Sequence, residues 1–269
     1  MTKSIETDAL TRRGFIGIAA VSAAALPAAG ALTRREEPPA LGDRFPSQEY
    51  EAVRDTVAGS HGNVPRVTEL VEARPALARA TIDWGFGDWE SAIGAASHVG
   101  NREIAALLIS HGARPDIFTG AMMGWVDAVR GMVTAQPGVQ RLLGPHGFTL
   151  AHHARVGGDD AALVREYLDE LGDADNAYER PELSEAEQAV YTGTYEHASG
   201  TLEVLVTRFG LAIKSGTGFS RTLVSLGAHA FHPVGAEHVR VIFEVRDDAA
   251  RSVTIHDPGP IVTATRAAG

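Results

Sequence analysis

The chain has 269 residues, 44% of them apolar, enough for one large domain or two modest ones with separate cores. Its 34 acidic residues outnumber 24 lysines and arginines, and the formal net charge of −10 disfavours nucleic acid and anionic membranes, whose phosphates need clustered cations. No cysteine is present, which excludes a disulfide framework, a lipid-bearing cysteine and thiol chemistry.

Residues 1–31 read as a targeting segment, to be set aside before any fold reasoning. The run from Thr11 to Leu32 has a positive start, an apolar Ala-rich middle and a small-residue end. Thr11-Arg12-Arg13-Gly14-Phe15-Ile16 resembles a twin-arginine export signal, with Gly17 where a lysine often stands, and Ala29-Gly30-Ala31 supplies a cleavage site. The resemblance implies export to the periplasm or the medium, with a mature chain beginning at Leu32 and no stable membrane insertion. The alternative is a retained anchor, since residues 14–32 approach the roughly 20 apolar residues that span a bilayer. Residues 32–47 form a linker.

Residues 48–176 carry a helical period that repeats about four times. Small-residue helix ends are followed by Gly, a polar residue and an apolar helix, with glycines at Gly62, Gly100, Gly124 and Gly158. Gly147-Phe148-Thr149-Leu150-Ala151-His152-His153-Ala154 follows a G-x-T-P-L-H-x-A pattern with two replacements, and Gly100-Asn101, Ile104, Leu107, Leu108 and Gly112-Ala113 follow a helix-and-loop pattern. In these residues the segment resembles the ankyrin-repeat family. The resemblance implies an α-solenoid of hairpin fingers and antiparallel helix pairs, stable only by stacking. The unit around Gly124 is too short for a full finger.

A polar linker at 177–188 contains Pro181, and the period then changes from 3.6 to 2. Leu202, Val204 and Val206 share one strand face, as do Val239, Val241, Phe243 and Val245. Further strands are expected at 191–197, 211–214, 221–225, 252–256 and 261–266, separated by turn signals. Residues 189–269 thus predict a small antiparallel barrel or sandwich. Tyr191-x-Gly193-x-Tyr195 is similar to the opening of β-domains appended to bacterial serine hydrolases. The expected class is α+β, an ankyrin-repeat solenoid followed by that β-domain.

Catalytic motifs are missing: no S-x-x-K, G-x-S-x-G, H-E-x-x-H or Walker-type G-K-[ST] occurs. Gly216-Thr217-Gly218 reads as a hairpin turn. Eleven histidines are present, but no spacing among them marks a metal site, and no cofactor is expected. The family resemblance gives His152 a structural role, linking backbone groups, and on a helix His153 points elsewhere. His98 and His111 flank one helix, and His229 and His232, three apart in a strand, face opposite sides.

The cluster from Asp83 to Glu90 is the most distinctive. Trp84, Phe86 and Trp89 stand beside Asp83, Asp88 and Glu90, and the resemblance places them on a projecting finger, with Trp125 extending the surface. Aromatics anchor interfaces, and the acidic residues would select a basic partner. The structural alternative folds Trp84 and Phe86 back as cover and seats Trp89 against the helix start. The leading expectation is an exported, non-catalytic module that binds a protein partner, its β-domain capping the repeats or taking a small apolar ligand. The alternative is an enzyme or small-ligand protein with a pocket between the two halves, served by His98, Asp88, Glu90, His152 and His153.

Overall fold

Short polar side chains set five of the eight described helix starts in the first half of the chain. Asn63, Ser91, Asn101, Asp116 and Thr149 each accept a hydrogen bond from a backbone N–H three residues on, satisfying a donor that the first helical turn leaves free. The computed structural model describes residues 45–175 and 181–268. The expected export segment at 1–31 lies outside the described residues, with most of the linker after it and part of the linker at 177–188.

The helices are α1 (Tyr50–Gly59), α2 (Val64–Ala73), α3 (Ala92–His98), α4 (Arg102–Ser110), α5 (Ile117–Met123), α6 (Val126–Ala135), α7 (Leu150–Val156) and α8 (Ala162–Leu171). A hairpin of β1 (Thr81–Asp83) and β2 (Trp89–Ser91) precedes α3. Apolar residues at helical spacing fill two clusters. Val57, Val67, Val71, Ile104, Leu108 and Met122 belong to the first; Ile117, Val129, Val133, Leu150, Val164 and Leu168 belong to the second. Among the described residues no helix is long and apolar enough to cross a membrane.

The ankyrin-repeat solenoid expected from the glycine pattern is overturned. The helices are only seven to ten residues long. Among the described residues β1–β2 is the one hairpin between them, and other connections are plain turns or 3-10 segments such as Pro75–Arg79 and Gly158–Ala161. Two of the four pattern glycines, Gly100 and Gly124, mark tight helix junctions instead, whereas Gly62 and Gly158 have open space where a Cβ would lie. Gly100 and Gly124 have φ of 76° and 77°, and a Cβ would lie 2.3 Å from the Val156 carbonyl oxygen and 2.1 Å from that of Asp160.

The second half is a closed, wholly antiparallel barrel, so the barrel expectation stands and the sandwich does not. Its strands are β3 (Gly193–His197), β4 (Gly200–Thr207), β5 (Gly210–Ser215), β6 (Arg221–Gly227), β7 (Ala230–Pro233), β8 (Arg240–Arg246), β9 (Ala249–His256) and β10 (Pro260–Arg266), with β10 closing on β3. Closure removes every sheet edge. The strand that the period-2 pattern misses is β7, whose four residues are too few to show alternation. A further helix, α9 (Glu185–Tyr191), starts inside the expected linker, because Ser184 and Glu187 form a reciprocal capping box. The rings of Tyr191, Phe231 and Phe243 pack with centroids 4.9–5.6 Å apart in the barrel core, and the Tyr195 hydroxyl donates to the Tyr191 carbonyl at 2.5 Å. Helices and barrel belong to one compact unit, residues 47–269.

Candidate metal centre

The hairpin β1–β2 links helices to barrel. Asp83 Oδ1 accepts from the backbone N–H groups of Gly85 and Gly87, shaping a turn in which Phe86 takes φ of 60°. Phe86 packs against the barrel core, and Trp84 packs against the first helical core. Both aromatics therefore fold back instead of projecting. Trp89, expected to brace the helix start, is 61% exposed, and Trp125 is 38% exposed. Asp88 and Glu90, expected on an acidic rim, are buried.

Their burial gives these carboxylates a different use. Glu90 Oε1 lies 3.2 Å from His98 Nδ1, 3.3 Å from His146 Nε2 and 3.5 Å from His61 Nε2. The other Glu90 oxygen accepts from the Trp84 indole N–H at 2.6 Å, which fixes the carboxylate's rotation. All four donor atoms lie within 4.8 Å of one another. A tetrahedral zinc ion with arms of about 2.0–2.1 Å would separate its ligand atoms by about 3.3–3.4 Å. The three nitrogen-to-Oε1 distances already match that edge.

The outer atoms are arranged to aim the inner ones. His61 Nδ1 faces the Ala58 carbonyl at 3.0 Å, and His146 Nδ1 faces Asp88 Oδ2 at 2.7 Å. Each contact requires the proton on Nδ1, which leaves Nε2 free to offer a lone pair inward. Asp88 also accepts the His146 backbone N–H at 3.0 Å and an Arg221 guanidinium N–H at 2.7 Å. That grip holds His146 in a left-handed conformation, φ 57° and ψ 19°, in the segment Pro145–Gly147.

A purely protonic explanation accounts for part of the cluster. Burial would lower the pKa of His146, but hydrogen bonds and charge from Asp88 and Glu90 outweigh it and raise the pKa to about 9. Burial would raise Glu90, yet His146 and His61 bring it down to about 2. Desolvation lowers His98 to about 3, with the His61 and His146 charges assisting against Glu90. With His146 protonated, its Nε2–H faces Glu90 Oε1 at 3.3 Å, and His98 Nδ1 is still buried without a hydrogen-bond partner. Such an atom costs about 1–3 kcal/mol. A cation among the four donors gives His98 Nδ1 the partner that a proton on His146 does not.

Of the residues expected from sequence, Asp88, Glu90 and His98 come together here, and His61 and His146 join them. His152 does not: its Nε2 donates to the His98 carbonyl at 2.9 Å, and its ring stacks on Phe148 at 4.3 Å, so it positions the chain at His98. His153 is buried beside Phe118, with Nδ1 on the Thr149 carbonyl at 2.8 Å. Burial lowers its pKa to about 4. Since the unfolded value is higher, the unfolded chain binds the extra proton. Stability from neutral His153 is complete above about pH 6.5 and is lost as pH falls toward about 4, by up to about 1.4 kcal/mol per pH unit. Urea titrations at pH 7 and pH 5 should show a smaller acid loss for His153→Gln than for the parent chain.

A cavity of 600 Å³ opens beside the cluster. His61, His98 and His146 line it with Trp84, Phe148, Phe209, Phe219 and Arg221, whereas Glu90 does not reach it. Glu90 thus closes the back of the centre, and the histidines face the opening. Neither protein-family models nor curated proteins match the sequence.

Proposed function

We propose that the chain binds one divalent transition-metal ion through His61, His98, His146 and Glu90, and presents it to a small molecule held between helices and barrel. The reading rests above all on the convergence of four donor atoms whose outer partners fix them in place. Three imidazoles and one carboxylate suit zinc and its first-row neighbours, with thiolate-preferring ions disfavoured. The histidine side of the ion borders the cavity, so a further ligand can reach it there by expanding the coordination from four to five. The chemistry this supports is Lewis-acid binding and polarisation of an oxygen-bearing group. Arg221 and Asp88 neutralise each other and serve as positioning residues.

Metal uptake by the full chain tests the reading. Calorimetric titration should show one equivalent of zinc per chain, and free zinc at a hundred times its Kd should stabilise the fold by about 2.7 kcal/mol. Glu90→Gln and His98→Ala should lower affinity by more than the roughly 10- to 100-fold that outer-shell losses produce. Saturable binding unchanged in both variants would place the ion elsewhere.

A second reading keeps the exported partner-docking module. It is supported by Trp89, which with Leu142, 61% and 53% exposed, borders a separate cavity of 640 Å³.

A further inference from the structure

The cavity beside the candidate centre has two unlike ends. At its floor stand the imidazoles of His61, His98 and His146. Its walls and mouth carry Trp84 and Phe148 from the helical side and Phe209 and Phe219 from barrel loops. Phe209 and Phe219 are each 63% exposed, an unfavourable placement for two phenylalanines on turns.

Packing around them is directional. Trp84 meets Phe219 edge to face with centroids 5.1 Å apart, while its indole N–H is held by Glu90. The ring that fixes a candidate metal ligand therefore also forms the cavity wall. Phe148 stacks between His98 and His152, at 4.9 and 4.3 Å, so its ring is held rigidly. Arg54 and Arg208 lie over the rings of Phe219 and Phe209, at 5.9 and 4.5 Å, which keeps the apolar mouth soluble. A volume of 600 Å³ falls within the range of small-molecule sites, about 300–1,000 Å³, and excludes a folded partner.

Resting on the metal reading above, we infer that the ligand is a small molecule with a flat apolar body, such as an aromatic ring, carrying an oxygen donor that reaches the metal. Rigid aromatic walls reward flat apolar surface, and an ion held by the four protein donors would take a fifth donor from the cavity side, where the histidines stand. A purely polar ligand, such as a short sugar or an inorganic anion, would leave the phenylalanine rings uncovered.

The experiment uses full-length protein loaded with cobalt(II), whose visible absorption reports changes in its ligands. Benzohydroxamate and acetohydroxamate carry the same metal-binding group and differ in the ring. Benzohydroxamate should bind at least ten times more tightly. Phe209→Ala/Phe219→Ala, with cobalt uptake unchanged, should cut that preference several-fold. Failure to take up cobalt overturns the metal reading and this inference together. Cobalt uptake with equal affinities for the two hydroxamates overturns this inference alone. Should the double variant misfold, the comparison in the parent chain decides the matter unaided.

Discussion

Asp88→Asn is expected to destabilise the protein by about 3 kcal/mol and to weaken zinc binding about 10- to 100-fold. Asparagine keeps the shape but removes the charge that Arg221 and His146 share. The Arg221 side chain is only 15% exposed and Asp88 Oδ2 is its one carboxylate partner among the described residues. Breaking a buried pair from one side strands the remaining charge, which costs more than the pair itself contributes. The metal effect arises separately, because a neutral amide oxygen accepts the Nδ1 proton of His146 more weakly than the carboxylate does, which loosens the ring and lowers its basicity toward the metal. Chemical denaturation of the zinc-free protein measures the first effect, and calorimetric titration the second. Adding Arg221→Met to Asp88→Asn should restore part of the stability and none of the zinc affinity. Recovery of both would mean that Asp88 acts only through the ion pair.

Gly124→Ala should be as damaging, by about 3 kcal/mol, for a reason unconnected with the site. Its φ of 77° ends α5 in the left-handed region, and a methyl group would sit 2.1 Å from the Asp160 carbonyl oxygen. Left-handed backbone costs alanine about 1–2 kcal/mol, and forcing two packed segments apart adds a further 1–3 or so. Gly131, inside α6 with nothing within 4 Å of the same position, provides the control. Gly131→Ala should stabilise by about 0.5–1 kcal/mol, since a helix-interior glycine only adds backbone entropy to the unfolded chain. Urea midpoints of the two variants should move in opposite directions. If both move alike, the close junction at Gly124 is not what holds α5 against the segment around Asp160.

Local chemistry determined a good deal of this protein. The change of hydrophobic period located the shift from helices to strands, and the turn signals placed seven of the eight barrel strands, because both patterns are written into neighbouring residues. The same locality explains the errors. Gly100 and Gly124 announce tight helix junctions, and a repeat was the simplest reason for several of them, yet helix length and hairpin count depend on packing that no short window contains. Trp84, Phe86 and Trp89 read equally as a projecting surface or as cover with Trp89 against the helix start, and the turn shaped by Asp83 sends the first two inward and Trp89 out.

For the site, the sequence by itself marked Asp88, Glu90 and His98 as a loosely defined group of candidates and left His61 and His146 among eleven histidines without distinction. Only the tertiary structure decided which nitrogens meet Glu90. Metal-ligand spacing is recognisable when donors share a helix face or a short loop. Here they come from the turn after α1, from β2, from the end of α3 and from a left-handed residue at position 146, which Asp88 holds while also pairing with Arg221 of the barrel. The physical reason is that convergence of donors is a property of packed distances, whereas a sequence records only order along the chain.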